Sequence, residues 1–222
     1  MRKVAVLRPE PGAGATLARA RAMGLDAFAL PLFAVEPLTW EVPDPQEFDA
    51  LLLTSANSVR QACAGLHALQ TLPVHAVGTA TAETARAAGL VVATVGSRGV
   101  EDLLASLPHG LRLLHLSGEH RRAPSCPRQQ LTSVPVYRSA ALPDPAGVQQ
   151  LVGAVALIHS PRAGRRLAEL LPQRSRTALA AISAAAADAC GSGWERVAVA
   201  ERPDDEAVLS LAATLCEHLP AK

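Results

Sequence analysis

Small hydroxyl residues, glycines and arginines follow several apolar runs of this chain that the sequence predicts to be β-strands. The positions that share this placement are Arg8, Thr54, Ser55, Asn57, Ser58, Gly78, Thr79, Thr81, Ser117, Gly118, Glu119, Arg121, Ser160, Arg162 and Ser183. Hydroxyls, guanidinium groups and the N–H groups of helix starts bind anions, and open parallel sheets bind ligands beyond the carboxyl ends of their strands. The pattern favours a site for a ligand with several negative charges, although a single serine or threonine there is also typical of a helix cap.

Other kinds of site have weaker support. Gly12 and Gly14 follow a strand, but the third glycine of a dinucleotide fingerprint and its acidic ribose partner are missing. The chain has no Gly-x-Ser-x-Gly elbow and no Walker loop. Its cysteines are Cys63, Cys126, Cys190 and Cys216, with no Cys-x-x-Cys, which indicates buried thiols and no zinc site. We expect neither a metal nor an organic cofactor.

Composition narrows the class of protein. The chain has 222 residues, 49% hydrophobic and 3% aromatic, with a net charge of +1. This balance gives no electrostatic footprint for nucleic acid. No signal peptide and no apolar run of membrane-spanning length is evident. We therefore expect a cytoplasmic protein that is a monomer by default.

Strand-like runs alternate with Ala/Leu/Arg helical patterns, which is typical of βα units on parallel sheets. The predicted strands are 4–7, 27–32, 50–53, 74–77, 91–95, 111–116, 134–137, 154–158, 179–182 and 196–200. The predicted helices are 14–23, 57–66, 80–88, 99–106, 146–152, 163–171, 184–190 and 205–218. The stretch 121–133 is predicted to be loop.

The strand–turn–helix pattern repeats at an offset of 105 residues, which places Ser55 on Ser160. Such a repeat indicates a duplicated α/β unit, and two similar lobes would enclose a cleft suited to a small molecule. Two proline-marked extended segments, 33–37 and 134–142, flank the middle of the chain. We predict an α/β fold of two lobes with parallel sheets flanked by helices. Lobe one is discontinuous (1–32 with 143–222), lobe two is 38–133, and a two-stranded β-ladder joins them.

Seven motifs spread over nearly the whole chain resemble the uroporphyrinogen-III synthase family. Two of them are AAIS (180–183) and DDEAVLSLA (204–212). The other five are LTSANSVR (53–60), AVGTATA (76–82), HLSGEHRR (115–122), VPVYRS (134–139) and IHSPRAG (158–164). The family fold is two α/β lobes joined by a two-stranded ladder, in agreement with the pattern described above.

The resemblance implies a lyase of haem biosynthesis that cyclises hydroxymethylbilane, a linear tetrapyrrole with eight carboxylates, with loss of water and inversion of ring D. Tyr137 falls on the family's tyrosine and would act as the general acid, while the hydroxyl loops would bind the carboxylate arms. No cofactor is implied. A transient contact with the upstream deaminase is left open.

One turn departs from the family. Ser183 is followed by three alanines where the family has a glycine–threonine turn. Two side chains that would donate hydrogen bonds to substrate carboxylates are therefore absent. This favours an alternative, a non-catalytic two-lobe homologue that binds a tetrapyrrole or another polyanion for regulation. A periplasmic-type ligand-binding protein is a third reading, which the missing signal peptide opposes.

Overall fold

The computed structural model describes residues 2–120, 124–125 and 127–218, and the side chains of Cys63 and His218 are also outside the description. The chain forms two compact units, Met1–Ala34 with Ala140–Lys222 (unit 1) and Val35–Ser139 (unit 2). Each unit contains one helix-flanked sheet, so the predicted α/β class with two parallel-sheet lobes is confirmed.

Unit 1 is built on a five-stranded parallel sheet in the order β11-β10-β9-β1-β2. The strands are β1 (Val4–Val6), β2 (Ala27–Ala29), β9 (Val155–Ile158), β10 (Ala178–Ala181) and β11 (Arg196–Val199). The helices are α1 (Gly12–Ala22), α5 (Pro161–Leu170), α6 (Ala184–Asp188) and α7 (Asp205–His218).

Short aliphatic side chains fill both faces of this sheet. Ala156 and Ile158 of β9 pack on the side of α5 and α6, whereas Val155 and Leu157 pack on the side of α1 and α7. Successive strand residues point to opposite faces, so a continuous apolar strand such as β9 is the expected sequence for a sheet covered on both sides.

Unit 2 carries a sheet in the order β3-β8-β7-β4-β5-β6. The strands are β3 (Phe33–Pro37), β4 (Ala50–Leu53), β5 (Val74–Ala76), β6 (Val92–Val95), β7 (Arg112–Gly118) and β8 (Gln130–Ala141). The helices are α2 (Ala56–Gln61), α3 (Thr79–Ala87) and α4 (Val100–Ser106). The core against α2 and α3 is large, and a smaller one lies against α4.

The predicted two-stranded ladder is present, but its strands also belong to the six-stranded sheet. Leu38 N donates to Val136 O at 3.0 Å and Leu142 N to Leu32 O at 3.0 Å, so β3 and β8 run antiparallel. β8 also pairs in parallel with β7, from Arg112 opposite Gln130 onward. The two segments are therefore the last two strands on one side of the six-stranded sheet, with β3 at its edge.

The loop prediction for 121–133 was wrong at its end, because β8 begins at Gln130. The preceding residue, Gln129, is buried, and its amide donates to Leu104 O and Leu107 O at the end of α4. A polar side chain that satisfies helix-end carbonyls carries no apolar strand pattern, so the start of β8 was missed.

Two predicted helices are shorter than expected. The 57–66 helix ends at Gln61 and continues as a 3-10 turn, Cys63–Leu69, in which a Cβ at Gly65 would lie 2.6 Å from the Trp40 ring. The 146–152 helix is only a 3-10 turn, Val148–Leu151, between Gly147 and Gly153, both at positive φ. Glycines in that conformation end regular helix.

Candidate active site

Four neighbouring strands of unit 2 carry polar residues at one edge. The carboxyl ends of β7, β4 and β5 lead into Gly118, Thr54 and Gly78, and Tyr137 of β8 lies in register with Gly118. Parallel neighbours end at the same edge. The fold thus gathers the unit 2 part of the predicted site on one edge of the sheet.

Tyr137 lies directly over Gly118. A Cβ atom at position 118 would lie 2.9 Å from Tyr137 Cζ and 3.0 Å from its hydroxyl oxygen. Glu119 N donates to Tyr137 O at 2.8 Å, and the half-buried ring packs against the larger core of unit 2. The glycine therefore provides the space that holds the phenol at the strand end.

Ser55, Ser160 and Ser183 are helix caps. Their hydroxyl oxygens accept from the N–H groups of Asn57 at 3.1 Å, Ala163 at 3.1 Å and Ala186 at 3.3 Å, respectively. The capping alternative is therefore correct for these three serines. A capping oxygen acts as the acceptor, so the same hydroxyl keeps a proton that it can donate to a ligand.

Three of the predicted binding residues are buried. Ser58 is fully buried and donates to Leu116 O at 2.7 Å, Ser117 contacts Val134 O at 3.5 Å with 1% exposure, and Thr81 lies inside α3. The hydroxyls of Ser58 and Ser117 contact backbone carbonyls inside the unit, so we leave both residues out of the proposed binding set. The sequence could not separate Ser58 from Ser55, because both follow the same strand.

The start of α3 differs from those caps. Gly78 is its N-cap residue, no side chain caps the helix, and a Cβ at Gly78 would meet no atom within 4 Å. Thr79 beside it is exposed. The backbone N–H groups of this first turn therefore have space in front of them, which suits a carboxylate.

Thr54 has a buried partner that the sequence did not assign to it. Thr54 Oγ1 lies 3.0 Å from Nε2 of His115, and Nδ1 of the same ring lies 3.3 Å from Ser133 Oγ. His115 is in the middle of β7 and is 2% exposed. Its place two residues before Ser117 is the signal, because alternate residues of a strand share a face.

Glu119 is exposed and Asn57 is half-buried, and each has a neighbouring side chain. Glu119 is exposed beside His120, with 3.7 Å between Oε2 and Nε2, and Asn57 Oδ1 lies 3.5 Å from Nη1 of Arg60. A carboxylate repels an anionic arm, and the Glu119 N–H already donates to Tyr137 O, so we leave Glu119 out of the proposed binding set. Arg121 lies outside the described residues.

In unit 1, Arg8 extends beside α1. A Cβ at Gly12 would lie 2.5 Å from Arg8 Nε, and Arg8 Nη1 is 3.6 Å from Asp205 Oδ1. The N-terminus of α1 is already occupied, because Gly14 N donates to Oε2 of Glu10 at 2.9 Å. Gly12 and Gly14 therefore accommodate local side chains, which argues against the dinucleotide reading.

Arg162 stacks on an aromatic ring of its own unit. Its guanidinium carbon lies 4.4 Å from the centre of the Phe33 ring, which is buried. Stacking on the ring limits the rotamers of the Arg162 side chain. Phe33 was predicted only as part of the ladder, and its contact with Arg162 was not foreseen.

Asp205, the first residue of α7, accepts from three side chains. They are Thr16 Oγ1 at 2.8 Å, Arg19 Nη1 at 2.6 Å and His159 Nε2 at 2.8 Å. Burial raises the pKa of Asp205, but the hydrogen bonds from Thr16, His159 and Arg19 outweigh it and lower that pKa. The network joins residues as far apart in sequence as Thr16 and Asp205, so no local pattern of the sequence indicates it.

His159 is held as a neutral donor. Burial lowers its pKa, and the hydrogen bond to Asp205 offsets this only in part. Because an ionised carboxylate only accepts, Nε2 of His159 carries the proton. The residue therefore fixes the start of the Ser160 loop to the N-terminus of α7.

The turn after Ser183 is as poor in donors as the sequence indicates. Ala184 and Ala185 are exposed at the start of α6, while Ala186 and Ala187 are buried. Ser183 and the backbone are thus the polar groups that this turn presents. Among residues 2–120, 124–125 and 127–218, no three His, Cys, Asp or Glu residues are grouped so as to hold a metal.

The thiols of unit 1 are buried. Burial raises the pKa of Cys190 to about 11 and also raises that of Cys216. Such thiols stay protonated at neutral pH and are poor nucleophiles. Within the described part of the chain, no helix is long and apolar enough to cross a membrane.

These features define a two-unit α/β protein whose strand ends carry hydroxyl groups, guanidinium groups and helix starts. The model of the family described as uroporphyrinogen-III synthase HemD matches residues 15–210. The chain therefore belongs to the uroporphyrinogen-III synthase family, as the sequence motifs indicated.

Solved structures agree on the fold. Uroporphyrinogen-III synthetase from Helicobacter pylori 26695 is similar with a TM-score of 0.69 and 19% identity, covering 97% of this chain and 100% of that one. A mutant uroporphyrinogen III synthase from the extremely thermophilic bacterium Thermus thermophilus has a TM-score of 0.51 and 20% identity, covering 98% and 100%. No match was found among curated proteins.

Proposed function

We propose that the protein is a uroporphyrinogen-III synthase, a lyase of haem biosynthesis. It would convert hydroxymethylbilane to uroporphyrinogen III with loss of water and inversion of ring D. The observation that carries the proposal is the family match over 15–210 combined with Tyr137 held over Gly118 at the strand ends.

The reaction makes modest demands on side-chain chemistry. The C–O bond of the terminal hydroxymethyl group breaks, the pyrrole nitrogen supplies electron density, and the oxygen leaves as water. We assign the proton for that water to the Tyr137 phenol, acting as general acid. The resulting azafulvene is attacked by the substituted carbon of the last pyrrole to give a spiro intermediate, which fragments and recloses with ring D inverted.

Spontaneous closure of the same substrate gives the uninverted isomer, so the protein must act mainly by positioning. Holding the reacting carbons in the geometry of the spiro-forming attack lowers its barrier relative to direct closure. A ligand with eight carboxylates suits many moderate donors. In unit 2 we propose Thr54, Ser55, Gly78 and Thr79 for that role.

Further binding groups are proposed in both units. In unit 2 they are Asn57 and Thr81 with the backbone of Gly118, and Arg121 stays a proposal from the sequence. In unit 1 they are Arg8, Ser160, Arg162 and Ser183. The capping bonds of Ser160 and Ser183 orient their hydroxyl protons away from the helix, and Phe33 limits the motion of Arg162. A monomer that contacts the upstream deaminase only transiently fits this set and is part of the proposal.

One observation favours a second candidate, a non-catalytic homologue that binds a tetrapyrrole or another polyanion. Ala184 and Ala185 expose methyl groups at the start of α6, so this turn offers few side-chain donors. Such a protein would keep affinity for the polyanion without directing ring closure.

The isomer ratio of the product tests both candidates. Purified protein is added to freshly generated hydroxymethylbilane, and the oxidised products are separated by chromatography. An excess of the type III isomer over a protein-free control supports the synthase. Only type I isomer, from protein with an intact circular dichroism spectrum, would reject it in favour of the non-catalytic homologue.

A further inference from the structure

The imidazole of His115 lies between two hydroxyl groups inside the unit 2 sheet. Register places His115 of β7 opposite Leu52 of β4 and Ser133 of β8. Nε2 lies 3.0 Å from Thr54 Oγ1 and Nδ1 lies 3.3 Å from Ser133 Oγ. At 2% exposure the ring is enclosed by the protein, so solvent does not compete for these two contacts.

The protonated nitrogen decides how the Thr54 hydroxyl is oriented. In a neutral imidazole one nitrogen donates and the other accepts. If Nε2 carries the proton, it donates to Thr54 Oγ1, and the Thr54 hydroxyl proton must point to another acceptor. If Nδ1 carries it, Thr54 donates inward to Nε2 and presents only lone pairs to a ligand.

We propose that His115 is a positioning residue whose Nε2–H donates to Thr54 and thereby makes Thr54 a donor to a substrate carboxylate. The inference rests on the proposed function, because an anionic arm requires a proton from Thr54. Ser133 completes the arrangement by donating its hydroxyl proton to Nδ1. The half-buried Thr54 at the end of β4 thus receives its direction from a residue that does not contact substrate.

Nitrogen NMR of the histidines in the free protein tests the orientation without any substrate. The His115 signals are assigned by their loss in His115→Gln. We expect the pattern of a ring protonated on Nε2, with Nδ1 as the acceptor. A ring protonated only on Nδ1 would overturn the proposal, whatever the enzyme's activity.

Kinetics with hydroxymethylbilane test the consequence for binding. We expect His115→Leu to raise KM about tenfold, the effect of losing one hydrogen bond to a charged group, with little change in kcat. Thr54→Val should have the same effect, and the double variant should be no worse than either single one. Additive losses would contradict action through Thr54.

Two amide replacements separate the nitrogens of His115. The glutamine amide reaches the position of Nε2 and the asparagine amide that of Nδ1. His115→Gln should therefore recover most of the lost affinity and His115→Asn should not. Equal recovery by both, or by neither, would leave a merely structural role for His115 and reject the proposal.

His75→Leu is the matched control. His75 is a buried histidine of β5 on the same face and in the same row as Leu52, and KM should stay at its wild-type value.

If the wild-type protein forms no type III isomer, the proposed function fails separately. Fluorescence titration with uroporphyrin, the oxidised octacarboxylate, then replaces KM with Kd in the same series, and unequal losses for His115→Leu and Thr54→Val would again reject the inference.

Discussion

Tyr137 and Gly118 form the pair on which the proposed chemistry depends. Removing the phenol oxygen in Tyr137→Phe keeps the ring that packs on the unit 2 core and takes away the proposed acid. We expect kcat to fall about 10²- to 10⁴-fold, with the melting temperature within experimental error of wild type. Single-turnover rates of type III formation measure this, and a wild-type rate in the variant would remove Tyr137 from the acid role.

Gly118→Ala provides the matched steric test of the same position. Its new Cβ would lie 2.9 Å from Tyr137 Cζ, so the ring must move although the phenol is retained. Gly78→Ala, whose Cβ would meet no atom within 4 Å, is the reference for melting temperature alone, because Gly78 belongs to the proposed binding set. Wild-type rates in Gly118→Ala would show that the placement of the ring is unimportant.

A single glycine also allows the close contact between α5 and α6, as Gly118 allows the contact with Tyr137. A Cβ at Gly164 of α5 would lie 2.8 Å from Cys190 Sγ and 2.9 Å from Ala186 O. We expect Gly164→Ala to destabilise the protein by about 1–3 kcal/mol, the usual effect of overpacking, even though alanine favours helix. Urea denaturation measures the change.

Gly14→Ala is the control for that substitution. Its Cβ would approach only the carboxylate of Glu10, at 3.2 Å from Oε2, and that flexible group can move aside. A loss as large in Gly14→Ala as in Gly164→Ala would mean that the close approach of α5 to α6 is not the cause.

Acid should weaken the attachment of α7 to α1. The pKa of Asp205 is lowered in the folded protein, so its stabilising effect is present above the unfolded value of about 3.9 and is lost as pH falls through the folded value. Arg8, Arg19, His159 and Thr16 are the groups that face this carboxylate. Asp205→Asn should cost about 2 kcal/mol at pH 7.

The same substitution should cost progressively less below about pH 4, because the Asp205 carboxyl then takes up a proton in the unfolded chain while it is still ionised in the folded protein. Free energies of unfolding for both proteins between pH 3 and pH 7 measure the difference. Glu206→Gln, the neighbouring acid of the first turn, is the control. A constant difference between wild type and Asp205→Asn over this range would contradict the ionic role.

At the level of elements, apolar runs predicted far more than polar ones. The strand 50–53 and the helix 205–218 have the predicted bounds, because leucine runs and acidic first turns are local signals. The start of β8 depends on Gln129 binding the end of α4. That contact joins residues 25 apart and leaves no local pattern.

In the candidate site, too, local features could be predicted and contacts between distant residues could not. Strand ends predicted Thr54, since the position of a residue after a strand is readable from the chain, whereas Tyr137 was predicted only from the family motif. The hydrogen bond of Thr54 to His115 spans 61 residues and depends on which strands are neighbours. The burial of Ser58 likewise depends on the packing of α2 onto β7, which residue types alone do not specify.

The whole molecule contains separate apolar cores. Among the described residues, each of the four clusters takes its members from one unit, two for each sheet. The chain has two tryptophans, and they are divided in the same way. Trp194 packs on the core that contains Leu167, and Trp40 packs on the core that contains Leu114. Tryptophan fluorescence can therefore follow each unit separately.

Core substitutions should act on the tryptophan of their own unit. Leu167→Ala and Leu114→Ala each remove a fully buried side chain, and such changes cost about 2–5 kcal/mol. In variants that keep one tryptophan, Trp40→Phe or Trp194→Phe, urea unfolding should shift strongly for Leu167→Ala only when Trp194 is the reporter. Leu114→Ala should shift the transition reported by Trp40. Equal shifts at both reporters would show that the two cores unfold as one, and the loss at one sheet would then extend to the site residues of the other.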